Sequence, residues 1–184
     1  ATAPVRQFND QMEKEFALHP DVIALGIVNE KGVFNHETFV RILDLTRKIQ
    51  EMPGVVSRDV MSLATLDNIT AEGSELIVHP VLDPIPASEG GIALLRKELL
   101  TNPLFVNRIV SPDGTATAIY IPIEPTANGK AIAVAIRKML PQNLSHTDPS
   151  QYFLAGDPVA RDTFGAEMVR QMGVFSPIAG LVMC

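Results

Sequence analysis

The sequence has no tryptophan, two tyrosines and eight phenylalanines among its 184 residues. That leaves little material for a platform on which nucleic-acid bases could stack. No run of Lys or Arg stands out and the net charge is −6. Both facts argue against a phosphate-binding footprint, so no nucleic-acid partner is expected. Cysteine is almost missing. Cys184, the last residue, is the single thiol, which excludes an internal disulfide and leaves the compartment open. A nucleophilic role for Cys184 is not expected, and its role stays open. No run of about 20 apolar residues, the length a membrane helix needs, is present. The start, Ala1-Thr2-Ala3-Pro4, lacks both an initiator Met and the basic and apolar regions of a signal peptide, and is read as processed or cut.

Recognisable catalytic patterns are missing too. The histidines, His19, His36, His79 and His146, are not spaced three or four residues from one another or from the cysteine, and there is no HExxH or CxxC. Asn128-Gly129-Lys130-Ala131 looks only superficially like the end of a phosphate-binding loop. Glu124 stands where the earlier Gly belongs, and Ala131 where Ser or Thr would bind magnesium. A helix cap is the preferred reading of Asn128. No serine sits in a Gly-x-Ser-x-Gly elbow. Asp10, Glu13 and Glu15 read as a solvated helix face. The expectation is no catalytic, cofactor-binding or metal site, hence no enzyme and no cofactor. Substrate-binding residues are left unassigned.

What is present is a core. The apolar fraction is 46% and the charged fraction 20%, which predicts a packed domain rather than general disorder. Phe8, Met12 and Phe16 make an apolar stripe on a helix over 7–18. Val22 to Val28 is a short β-branched run read as a buried central strand. Asn35 caps a helix over 36–52, with Phe39, Ile42, Leu43, Thr46 and Ile49 inward. Val55 to Leu66 reads as a second strand. Residues 67–86, rich in Pro, have no sustained period and read as an ordered excursion in which Leu76, Ile77, Val78, Val81 and Leu82 need burial. Ser88 caps a helix over 89–100, with Ile92, Leu95 and Leu99 inward. Ser111-Pro-Asp-Gly114 suits a type I turn between strands at 106–110 and 115–123, with Pro122 near an edge. Asn128 caps a helix over 130–140, with Ile132, Ile136 and Met139/Leu140 inward. A last strand covers 152–156. Gly156-Asp157-Pro158 is the most distinctive local feature: a turn, a cap and a first-turn proline opening a helix with Phe164, Met168, Met172 and Phe175 at helical spacing.

This order predicts an α+β fold of the ferredoxin-like, split βαβ kind, with an irregular helical insertion and flanking terminal helices. The chain is read as one domain: a lead-in helix over 1–20, ferredoxin-like halves over 21–66 and 104–157, an insertion over 67–103, and a helix over 158–184.

Five segments together resemble one family: Gly32-Val-Phe-Asn-His-Glu-Thr-Phe-Val-Arg-Ile-Leu43, Met52-Pro-Gly-Val-Val56, Ser62-Leu-Ala-Thr65, Ile109-Val-Ser-Pro-Asp-Gly-Thr-Ala116 and Ala155-Gly-Asp-Pro-Val159. The ordered set is similar to the first large extracytoplasmic, porter-like domain of RND-superfamily exporters of the MMPL/Patched-like branch. The resemblance covers nearly the whole chain. It implies proton-driven export of hydrophobic or lipid-like molecules, a periplasmic location within an integral membrane protein, flanking membrane helices, and a sister domain as partner. On this reading the charge-free tail from Gly173 leads into the second membrane helix. The family's proton-relay acids lie in membrane helices, so none of the acids here inherits that role. Cargo, direction of transport and self-association stay open. The alternatives are a stand-alone or membrane-tethered ligand-binding or sensory domain, and a small hydrolase or transferase whose site is assembled from distant residues.

Overall fold

The computed structural model describes residues 4–15, 21–72, 75–141, 149–160 and 168. The fold is α+β, with antiparallel sheets and, among the described residues, four named helices. Its elements are α1 (Pro4–Glu15), β1 (Val22–Val28), α2 (His36–Gln50), β2 (Asp67–Glu72), β3 (Glu75–Pro80), α3 (Glu89–Thr101), β4 (Ala116–Pro122), α4 (Gly129–Met139) and β5 (Gln151–Ala155).

β1 is central, as its uninterrupted apolar run predicted. β4 and β5 flank it, both antiparallel. Period two then divides the strands. Ile23, Leu25 and Ile27 of β1 and Thr117, Ile119 and Ile121 of β4 point to one side and are buried. Ile42 and Ile49 of α2 and Ile132 and Ile136 of α4 join them in one core. Leu99 of α3, Phe105 and Ile109 extend the same core.

The helices start where side-chain oxygens replace the missing backbone acceptors. Asn35 Oδ1 accepts from Thr38 N at 2.8 Å, Ser88 Oγ from Gly91 N at 3.1 Å and Asn128 Oδ1 from Ala131 N at 3.1 Å. The tight turn over Ser111–Gly114 also forms, since Gly114 N donates to Ser111 O at 2.9 Å.

Several expectations are corrected. In α2, Leu43 is exposed and Leu45 is the buried leucine. In α1, Phe8 is exposed and Met12 is half-buried, so the stripe does not enter the core. The expected strand over 55–66 is instead two isolated bridges, Val55 with Ile123 and Met61 with Tyr120, around a short 3₁₀ turn at Ser57–Asp59. Ser62 is why it breaks: it is fully buried, and its N–H donates to Thr65 Oγ1 at 2.9 Å rather than to a strand. Thr46 of α2 donates to Ser62 Oγ at 2.9 Å and holds that turn against the helix. The expected strand over 106–110 is likewise a series of turns touching β4 through Val110. The outer edge of β4 is thereby closed piecemeal: Ser111 N reaches Ala116 O, Ala118 N reaches Ile109 O, Tyr120 exchanges both bonds with Met61, and Val56 N reaches Pro122 O.

The excursion over 67–86 contains a regular hairpin, β2 paired antiparallel with β3 from Asp67–Pro80 to Glu72–Glu75. Val81 and Leu82 are buried at its base as expected, whereas Ile77 and Val78 are exposed. Asn68, buried, donates to Glu98 Oε2 at 3.2 Å and ties the ribbon to α3. After β5 the chain turns at Gly156 (φ +122°) and is helical over 157–160. Phe16, Phe164, Met172 and Phe175 lie outside the described residues, and Met168 is exposed.

Candidate functional site

Antiparallel sheets that face water on one side normally alternate apolar and polar residues. This sheet does not. Its outer face carries Val22, Ala24, Gly26 and Val28 from β1, Ala116, Ala118 and Tyr120 from β4, and Gln151, Phe153 and Ala155 from β5. None of these is acidic or basic. The β1 and β4 members are half-buried, and the β5 members are exposed.

The registry builds the relief of this face. One row runs Met61, Tyr120, Ala24, Ala155; the next runs Ala118, Gly26, Phe153. Small residues therefore occupy the centre. Tyr120 and Met61 rise on one flank and Phe153, 54% exposed, on the other. Gly26 is a matter of space rather than backbone: a Cβ there would only make ordinary contact, at 3.8 Å from Phe153 O and 3.9 Å from Phe153 Cβ. Tyr120 is fixed on its flank because its hydroxyl donates to Arg108 O at 2.8 Å. The chemistry available is dispersion and apolar burial, stabilising by about 25 cal/mol per Å² covered, with no charge to recognise an ion.

A second concavity, of about 580 Å³, opens beside α2 among His36, Glu37, Val40, Arg41 and Asp44. It mixes both signs of charge around one apolar side chain.

Among the described residues, those singled out for chemistry stand apart from one another. His36 Nδ1 lies 3.4 Å from Pro86 O, and His79 Nδ1 lies 3.2 Å from Pro80 O. His19, His146 and Cys184 lie outside the described residues. Among the described residues no group of three or more His, Cys, Asp and Glu is placed to hold a metal ion. Lys130 follows a capping asparagine in the first turn of α4. The Asp113 carboxyl is brought down to about 2, first by the Ser111 hydroxyl and then by the Thr115 N–H and hydroxyl. It closes a surface turn rather than entering a cavity.

The outer face was missed in the sequence because β1 read as apolar throughout, which fits burial on two sides as well as on one. The available signal was the small size of alternate residues, Ala24 and Gly26, against the large Ile23, Leu25 and Ile27.

Comparison of the chain with protein-family models, curated proteins and solved structures found no match in any of the three. No helix among the described residues is long and apolar enough to cross a membrane.

Proposed function

We propose that this chain is the porter-like, extracytoplasmic domain of a proton-driven RND-type exporter, and that the outer face of the β4-β1-β5 sheet is part of its path for hydrophobic or lipid-like molecules. The observation that carries this reading is the sheet face without acidic or basic side chains, small at its centre and walled by Tyr120 and Phe153. A path for apolar cargo needs such a wall, because an unpaired charge there would be costly to desolvate.

The topology supports the finer fold. β1 lies between β4 and β5, and residues 55–61 bridge the far edge of β4. That is the spatial order of a split βαβ sheet whose fourth strand is reduced to bridges, with α2 and α4 on the inner face. In this proposal the domain works mechanically, shifting against a sister domain, and the proton chemistry belongs to membrane segments.

A fluorescent apolar amine such as N-phenyl-1-naphthylamine, titrated into the purified chain, tests the wall. Binding is expected to weaken at least about tenfold in Gly26→Asp, the cost of placing a charge in an apolar contact. Equal binding in Gly26→Asp and wild type would remove the sheet face from the proposal.

A membrane-tethered ligand-binding domain is the second reading, favoured by the concavity beside α2, whose volume of about 580 Å³ suits a small molecule. Under it, Val40→Asp rather than Gly26→Asp abolishes binding.

A further inference from the structure

The acidic excess of this chain is concentrated in one stretch. Between Arg58 and Arg96 there is no Lys or Arg, and Asp59, Asp67, Glu72, Glu75, Asp83 and Glu89 are acidic. Removing those six from the 21 acidic residues leaves 15, equal to the 15 basic ones. The excess over neutrality thus equals the six acids of the stretch 59–89, three of which, Asp67, Glu72 and Glu75, lie on the β2–β3 hairpin.

That hairpin also exposes apolar side chains. Ile69 and Val78 are cross-strand partners on one face, 57% and 60% exposed, and Asp67 is exposed on the same face two residues from Ile69. A two-stranded ribbon is marginal by itself, and its uncovered apolar pair makes it a natural docking element.

α4 has the opposite character. It contains Lys130, Arg137 and Lys138 and no acid. Arg137 and Lys138 are exposed, and so is Val134 one turn before Lys138. An apolar spot edged by positive charge thus matches an apolar pair edged by negative charge.

From this we infer that the β2–β3 hairpin of one copy docks on α4 of a second copy. Ile69 and Val78 cover Val134, and Asp67 faces Arg137 and Lys138. The inference is independent of the transport reading. The contact is small and its charges sit at a rim, so it is salt-dependent and gains in encounter rate and orientation more than in affinity. Two different patches meet, so repetition closes a ring or extends a chain of copies.

Sedimentation velocity over a concentration series, at about 20 mM and about 500 mM salt, tests it. The expected result is self-association at low salt that disappears at high salt. Arg137→Glu with Lys138→Glu should weaken it at least about tenfold, and adding Asp67→Lys to that variant should restore it. All three positions are exposed, so the restored triple variant also controls for folding. Carbodiimide cross-linking of mixed ¹⁴N and ¹⁵N chains should join hairpin carboxylates to Lys138 between copies. A chain that stays monomeric at low salt, association unchanged by the charge reversals, or hairpin cross-links to another surface would each overturn the inference. So would a monomeric chain whose hairpin is protected by polylysine, which would assign it to a different basic partner.

Discussion

Gly156 stands against Val22 with no room for a side chain: a Cβ at Gly156 would overlap the Val22 carbonyl oxygen and crowd the Cα of Ile23. The same glycine has φ +122°. The chain leaving β5 thus passes against the first residues of β1, and the corner it makes precedes the following helical turn. Pro158 then seats against Gly129, where a Cβ would collide with the proline ring, so the corner also fixes the start of α4.

Gly156→Ala should therefore cost more than the roughly 1–3 kcal/mol of backbone strain at such a φ, because the collision with Val22 adds to it. Gly90→Ala, in α3 with nothing within 4 Å of the added carbon, should be neutral or stabilise by up to about 1 kcal/mol. Urea unfolding of the two variants reads the contrast. Equal midpoints would refute the packing at the corner.

The register of α2 is open to a similar comparison. Leu45 is 2% exposed and packs in the core, whereas Leu43 is 39% exposed. Leu45→Ala should lose about 2–5 kcal/mol and Leu43→Ala within about 0.5 kcal/mol of nothing. The reverse ranking, measured by thermal unfolding, would restore the inward face read from sequence.

The turn at Asp113 makes a pH prediction. Its carboxylate is held at about 2 by hydrogen bonds from the Ser111 and Thr115 hydroxyls and the Thr115 N–H, below the ordinary 3.8. A depressed folded-state pKa gives stability that is complete above the unfolded value and is lost as pH falls through the folded value. The difference between wild type and Asp113→Asn should therefore shrink between about pH 4 and pH 2. Stability that tracks pH identically in both proteins across that window would contradict the hydrogen-bonded turn.

These positions show what could be read beforehand. Asn35, Ser88 and Asn128 announced their helices because capping is local chemistry, settled within four residues. β1 was legible because seven apolar residues in a row leave a short strand little choice but the centre of a sheet. Val55 to Leu66 was not legible, since its apolar residues fit a strand and only the buried bond from Thr46 to Ser62 shows why the chain turns there. The β2–β3 ribbon escaped notice although Gly73-Ser74 separates its strands, because Asp67 to Glu72 is too polar to alternate. The outer sheet face required the register itself: only pairing Gly26 with Ala118 and Phe153 shows that the small residues lie side by side.

We propose above that this face forms part of a path for apolar cargo in a proton-driven exporter. Efflux of N-phenyl-1-naphthylamine from cells expressing the complete reading frame measures it most directly. Protonophore-sensitive efflux by the wild type is expected, with loss of that efflux in Gly26→Asp at equal expression and Leu43→Asp on the surface of α2 still active. Absence of protonophore-sensitive efflux, or undiminished efflux in Gly26→Asp, would contradict it.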